Sequence, residues 1–519
     1  MPANANIVIE QSPLKLMLPV HQEVMFSVSD TNLVINKERV KFIAYVYVAK
    51  DLNNLGSQLY KAATLKVTPN NAGVGIFDLR SILEAYVSPE YLANGEDSGE
   101  YYSTTSSTYK GVEFSDAKSF PIHLIDQWSL SNDVGTFFKV KFGIEYLDEN
   151  AVVVDDNLTI SFEYFIFNGY VKFEDTLVSQ SGIGGSFGNY CFGLNLQELD
   201  NKDGTFRSII QNSDTAKFIS DAPRIQYARL TDYGTVATFN RLSLSEFSFA
   251  TAPSGTNNRV FYVQIKLYDS SGSQLGSAFN ITNSIGNGGA QPDPTYANLN
   301  KSFIQFFGCF PANLDGGYIE NSSIYADWNT HKANVSYYTI GARDNNNNRV
   351  TELYRINIIC ENSFGYEGIR LAWLNRWGAW DYYTFNQKSV RSLTTNKTNY
   401  TQLGGSWNKE YYIPQGYKGG KKNFRMNTKE RITLNTDFLN DLESVWIEDL
   451  MNSPEVYIIN KKSTDKLENA ALASAIVHKY VEPVIVTTSN FVRKTKANDK
   501  LIQYTIEIER NKTQRTQTA

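Results

Sequence analysis

The sequence predicts a mainly β chain, with tandem β-sandwich-like domains followed by a C-terminal α+β domain. Three observations carry that prediction. Tyr, Phe, Val, Ile and Thr gather in short stretches, and these residue types pack well on a pleated surface. Asn, Asp, Ser and Gly fill the intervals, where they supply turn conformations. One hairpin design, a tyrosine-bearing strand running into a polar turn, occurs four times before residue 366.

The first of these hairpins is VKFIAYVYVAKDLNNLG at 40–56, where Val40, Phe42, Ala44, Val46 and Val48 share one face at period two. The others lie at 137–154, 260–276 and 335–350. The first and third are followed by segments with helical character, at 78–87 and 299–310. The second and fourth are followed by strands ending in small-residue turns, at 162–170 and 354–366. Residues 1–185 and 186–365 therefore read as divergent copies of one β-sandwich-like unit, with a shared topology expected over 40–170 and 260–366. Gly- and Ser-rich 179–190 and Pro-containing 286–294 read as loops.

Beyond residue 366 the pattern changes. Phe438, Leu442, Val445, Trp446 and Leu450 fall at helical spacing, Thr436 or Asp437 can cap the first turn, and Pro454 lies just past the end. A helix over 435–452 follows, its apolar stripe facing a sheet and Asp441, Glu443, Glu448 and Asp449 lying outside that stripe. After strand-like 455–460, the Ala-rich stretch 467–477 fits either helix or strand. In 501–509, Ile502, Tyr504, Ile506 and Ile508 alternate with polar residues as in a half-buried strand. Residues 366–519 form the third domain of this reading.

The chemical inventory is narrow. The 519 residues include 32 Tyr, 30 Phe and 7 Trp but only four His and three Cys, with a net charge of −5. That balance points to neither wholesale nucleic-acid binding nor an acidic solvating tail, and it leaves little material for imidazole or thiol chemistry or a transition-metal cage. Cys191, Cys309 and Cys360 read as reduced, buried thiols. The N-terminal MPANANIVIEQSPLK has neither a basic nor an apolar leader segment, and no stretch reaches membrane-span length, so neither export nor membrane insertion is expected.

The motif candidates are weak. GYKGGKKN (416–423) has glycines and lysines, but Lys422 stands where a phosphate loop needs a hydroxyl and no helix pattern follows. SGIGGSFG (181–188) lacks dinucleotide-binding spacing. Glu198, Asp200, Asp203 and Gly204 do not complete a calcium loop and read as an Asp-Gly turn, and the carboxylates of 147–156 read the same way. His21, His123, His331 and His478 have no nucleophile elbow to serve. The expectation is a non-enzyme with no cofactor and no metal. A carboxylate pair for glycoside hydrolysis has no compulsory sequence spacing and stays open.

The densest aromatic cluster, RLAWLNRWGAWDYYTF (370–385), has three readings: core packing first, protein interface second, sugar stacking third. The interface candidates are Trp373, Trp377, Trp380 and Tyr382, with a turn at Gly378. The basic runs at Lys418, Lys421, Lys422, Arg425, Lys429 and Arg431, and at Arg493, Lys494, Lys496 and Lys500, read as solvated loops and edge-strand protection, without specific nucleic-acid binding.

Residues 371–385, the block TLNTDFLNDLESVWIEDLMNSPEVYIIN (433–460) and 484–509 resemble a family of structural proteins of tailed bacteriophages. FDLRSILEAYV (77–87) resembles part of that family's N-terminal β-sandwich region, while 467–477 departs from the pattern as an insertion. The resemblance implies a non-enzymatic virion component of the tail tip or baseplate, assembled in the host cytoplasm. Separately, weak net charge, many strand edges and abundant aromatics lead to the expectation of contacts with other tail proteins and with copies of itself in a ring, during tail assembly or fibre attachment. The turn around Trp377 and Trp380 and loops 179–190 and 416–423 are the segments expected nearest partners. The alternative is a carbohydrate-binding (receptor-binding) or glycan-cleaving β-protein with a host-surface glycan as partner.

Overall fold

In a computed structural model of the chain, the described residues are 6–13, 16–91, 121–125, 128–149, 151–170, 197–199, 206–208, 216–239, 260–282, 303–315, 325–344, 346–360, 365–407, 410–460, 481–490, 492, 502–511 and 514–515. They are mainly β. The chain divides into two compact units, the first comprising 1–359, 374–382 and 462–477, the second 360–373, 383–461 and 478–519. The expected boundary at 185/186 lies outside the described residues, and the predicted repeat belongs to the first unit up to Ile359.

In chain order the first ten strands are β1 (Val8–Gln11), β2 (Met17–Pro19), β3 (Met25–Ser29), β4 (Glu38–Ala49), β5 (Lys61–Val67), β6 (Val74–Asp78), β7 (Trp128–Leu130), β8 (Gly135–Asp148), β9 (Ala151–Ile160) and β10 (Tyr164–Phe167). A sheet of order β2-β10-β8-β4-β5, with β9 added on β8, faces the smaller sheet β1-β3-β6. The core between them is aromatic: Phe142 lies 5.6 Å from Phe26 and 5.7 Å from Phe77, and Tyr164 meets Phe26 edge-on at 5.8 Å. Val40, Phe42, Ala44, Val46 and Val48 all point into this core. Ile43 and Tyr47 on the opposite face are buried as well. β4 is thus a central strand covered on both sides, where the alternation alone predicts a half-buried one.

Strands β11 (Gln197–Leu199) and β12 (Phe206–Ser208) pair as an antiparallel hairpin. Asp200, Asp203 and Gly204, between them, lie outside the described residues. The second half then supplies β13 (Ile225–Arg229), β14 (Thr235–Phe239), β15 (Tyr262–Tyr268), β16 (Gln274–Thr282), β17 (Ile304–Gly308), β18 (Tyr337–Arg343) and β19 (Tyr354–Ile359).

Its large sheet, of order β13-β19-β18-β15-β16, reproduces β2-β10-β8-β4-β5 position by position. In each, the first pair is parallel and the other three are antiparallel. A short helix follows β6 (Arg80–Leu83), and another follows β17 (Pro311–Leu314) at the equivalent position. The small sheets differ: β1 extends the first through β3, whereas β7 extends the second through β17. A strand from the first half thus completes a sheet of the second. Phe303 stacks on Phe165 at 4.7 Å and meets Phe137 edge-on at 5.2 Å, packing the halves together.

The polar turns work through Asx chemistry. Asp269 Oδ1 accepts the Ser271 and Ser273 amides at 2.8 and 2.9 Å, and Asp344 Oδ1 accepts those of Asn346 and Asn348 at 2.9 and 2.7 Å.

The second unit is built on an eight-stranded sheet, of whose strands Leu374 and Trp380–Tyr382 are assigned to the first unit. Its strands are β20 (Ile369–Leu374), β21 (Trp380–Phe385), β22 (Val390–Gln402), β23 (Gly420–Asn435), β24 (Val456–Ile459), β25 (Val481–Val486), β26 (Thr505–Arg510) and β27 (Gln514–Arg515). The order is β21-β20-β24-β25-β26-β23-β22, with β27 added on β23. Ile502, Tyr504, Ile506 and Ile508 are buried, as their alternation predicts.

The helix spans Asp441–Asn452 and starts later than the predicted 435. The preceding residues are tied to the strand segment at 502–504, with the Leu439 amide donating to Ile502 O at 2.7 Å and Thr436 Oγ1 accepting the Tyr504 amide at 2.9 Å. The cap is therefore Asn440 rather than Thr436 or Asp437. Its Oδ1 accepts the Glu443 amide at 3.0 Å while Glu443 Oε2 accepts the Asn440 amide at 2.8 Å, a reciprocal capping box. Trp446 and Leu450 are buried, but Phe438, upstream of the helix, is exposed, and Asp449, expected outside the stripe, is buried.

Candidate functional site

Residues 374–382, part of the first unit, hold three of the four predicted interface side chains, and all three are buried. Gly378 makes the turn possible: its φ is +81°, and a Cβ there would lie 2.2 Å from the Asn168 carbonyl oxygen. Asn375 Oδ1 closes the turn by accepting the Trp377 and Ala379 amides, both at 3.0 Å.

The polar edges of Trp377, Trp380 and Tyr382 each have a partner inside the unit. Trp377 Nε1 donates to Asp221 Oδ1 at 3.1 Å, and Trp380 Nε1 donates to the Glu90 carbonyl at 2.8 Å. The Tyr382 hydroxyl lies 2.8 Å from His123 Nδ1 and 3.0 Å from Thr235 Oγ1. Asp381 Oδ1 accepts from Ser220 Oγ at 2.6 Å and from Asn375 Nδ2 at 3.1 Å. Trp373 is not brought to this turn; it packs on Trp446 in the second unit, ring centres 5.1 Å apart.

The electrostatics follow from burial. Desolvation alone would raise the Asp221 pKa, but the adjacent Arg376 and Lys217 charges outweigh it and hold the carboxyl well below its ordinary range. Arg376 donates to Asp221 and lies over the Trp377 ring at 4.3 Å. At Glu90 the nearby Lys50 charge is the weakest of the influences. Burial pushes its pKa to about 7, although its carboxylate accepts the Asn132 and Asp133 amides at 2.7 and 3.0 Å. The crevice beside Asp381 and Tyr382, bordered by Phe218, Ser220 and Tyr354, has room for about one water molecule. The geometry here is that of a satisfied core network, with ring faces covered and no space for a sugar.

His21 lies elsewhere, between Asn168 Oδ1 (2.7 Å) and Glu84 Oε1 (3.4 Å). Cys309 is buried, whereas Cys360, expected buried, is exposed; Cys191 and His478 lie outside the described residues. So do loop 179–190, stretch 467–477 and the basic residues Arg493, Lys494, Lys496 and Lys500. Among the described residues no group of three or more His, Cys, Asp or Glu is placed to hold a metal ion, and no helix is long and apolar enough to cross a membrane.

The exposed aromatic surface is one the sequence reading did not single out. β22 and β23, of 13 and 16 residues, pair with each other, yet β23 meets β26 only at Arg431–Asn435 and β27 only at Asn427–Thr428. From Lys397 and Met426 outward the hairpin is a two-stranded arm with no third strand among the described residues. Its tip exposes Trp407 (72%), Tyr411 (74%) and Tyr417 (78%), with Leu403, Tyr412, Ile413 and Phe424 also exposed. The predicted loop 416–423 turns at the tip and runs into β23. At the base, cations meet carboxylates: Lys429 and Arg431 reach Glu509 at 2.7 and 3.1 Å, and Arg510 bridges Glu482 and Glu430 at 2.6 and 3.0 Å. Hydrogen bonds from Lys429 and Arg431 hold the Glu509 carboxyl below its ordinary pKa.

No protein-family model and no curated protein matches the sequence. Among solved structures, the native E. coli alpha-2-macroglobulin is similar at a TM-score of 0.19 and 8% identity, over 83% of this chain and 22% of that one. Salmonella alpha-2-macroglobulin reacted with methylamine is similar at 0.18 and 8%, over 97% of this chain and 23% of that one. The chain thus spans under a quarter of the length of these two proteins, and likeness at this level carries no inference about fold or function.

Proposed function

We propose that this chain is a non-enzymatic structural subunit of a bacteriophage virion, in the tail tip or baseplate, that makes protein–protein contacts during assembly. The observation that supports this most is the arm. A free chain gains nothing from presenting Trp407, Tyr411, Tyr412, Ile413 and Tyr417 to water on a ribbon that has no third strand among the described residues. Such apolar surface marks an interaction site, and Tyr and Trp are enriched at protein interfaces. The resemblance of 371–385, 433–460 and 484–509 to tail structural proteins supplies the setting.

A host-surface glycan is the alternative partner for the same exposed rings. Sugar stacking uses ring faces and does not account for the cations set among them at Lys397, Lys418, Lys421, Lys422 and Arg425. The test is mass spectrometry of purified phage particles from the culture that expresses this chain. Peptides of the chain should co-sediment with tails in a fixed ratio to other tail proteins, and their absence from particles would end the reading.

A further inference from the structure

The arm differs from the rest of the chain in charge as well as in exposure. Residues 397–426 contain six Lys or Arg and one Glu, a balance of +5 in a chain of −5, so the remaining residues carry −10. At the arm's base the cations of β23 have an acidic partner in Glu507 and Glu509 of β26. Arg425, Lys429 and Arg431 lie on one face of β23 at period two, and that partner ends with β26. Further out, Arg425 Nε donates to the neutral Asn427 side chain at 3.0 Å and Lys422 to Gln402 at 2.8 Å, while Lys418 lies over the Tyr417 ring. Arg425 therefore continues a row whose inner members, Lys429 and Arg431, meet carboxylates.

We propose that this distal arm docks on an acidic surface of a second copy of the same chain. Charge selects that occupant. The arm supplies the positive surface, the remainder of another copy supplies the negative one, and complementary fields of this kind fix register and speed encounter. The exposed aliphatic residues Leu403 and Ile413 fit a protein surface better than a phosphate backbone, and a body at −10 repels a polyanion. Lys397 on edge strand β22 discourages edge-to-edge pairing, so the contact uses the arm's faces and tip. Arm on body is a heterologous contact, which closes into a ring when the rotation permits. The proposal deepens the structural-subunit reading and rests on it for its setting.

The experiment is sedimentation velocity on the full chain over a wide concentration range, with Lys418→Glu/Lys421→Glu/Lys422→Glu/Arg425→Glu and Trp407→Ala/Tyr411→Ala/Tyr412→Ala variants alongside. Wild type should self-associate, with an association constant falling by about tenfold or more between about 0.1 M and about 1 M salt, as the Debye length shrinks from about 10 Å to about 3 Å. Both variants, folded by circular dichroism, should sediment as monomers. The labelled charge variant should still be captured by wild-type arms. A wild type that stays monomeric throughout overturns the proposal, and uptake of short single-stranded DNA by that monomer would assign the arm to an anionic polymer. Association that the variants leave unchanged also overturns it. A monomeric wild type whose peptides are nonetheless found in purified particles keeps the virion reading while removing self-docking. Arm-dependent association of a chain absent from particles does the reverse.

Discussion

Two residues of the buried network give the sharpest readouts. Glu90 has an ordinary pKa of 4.5 that burial raises to about 7. The folded chain therefore binds its proton more tightly than the unfolded chain, so its contribution to stability is complete below 4.5 and is lost as pH rises through about 7. Glu90→Gln keeps an oxygen for the Asn132 and Asp133 amides without the charge. Urea unfolding should show the variant gaining on wild type by up to about 3 kcal/mol between about pH 5 and about pH 8; a pH-independent difference would show that Glu90 is not desolvated. Gly378→Ala sets a Cβ against the Asn168 carbonyl at a positive φ. It should lower the unfolding free energy by about 2–4 kcal/mol, and an unchanged urea midpoint would refute this turn geometry.

Among elements, the helix at 441–452 and the arm separate what sequence pattern reveals from what it conceals. Trp446 is buried on Trp373 and Tyr383, ring centres 5.1 and 6.0 Å apart, so Trp446→Ala should cost about 3–5 kcal/mol. Phe438, counted in the same stripe from the sequence, is 58% exposed, and Phe438→Ala should stay within about 0.5 kcal/mol of wild type. Equal losses of melting temperature in the two variants would contradict this division. Spacing located the helix because Trp446 and Leu450 obey a helical period. It could not locate the start, because Thr436 and Leu439 are claimed by a neighbouring strand segment more than 60 residues away in sequence. The alternation in 40–48 and 502–508 was legible for the same reason that the arm was not. A core face imposes a period, whereas an arm solvated on both faces carries none, and its Thr- and Asn-rich strands give no apolar signal. The aromatic turn at 374–382 was visible as a cluster, but the buried donors and acceptors that complete it come from segments around 90, 123, 221 and 235 that no local spacing announces.

At the scale of the whole molecule, two large sheets of identical strand order and direction give the first unit a tandem plan, and an eight-stranded sheet gives the second unit its arm. The aromatic residues at 377–382 are buried, while those at 403–424 face water beside cations that meet no carboxylate among the described residues. The most direct measurement is a cryo-EM reconstruction of the phage particle at side-chain resolution. The predicted result is density for this chain in the tail, in repeated copies, with the 397–426 arm and its Trp407, Tyr411 and Tyr417 rings covered by a neighbouring subunit. A particle without the chain would contradict the account, and so would one in which the arm is solvent-exposed and each neighbour contact buries under roughly 800 Å² in total, no more than crystal packing achieves.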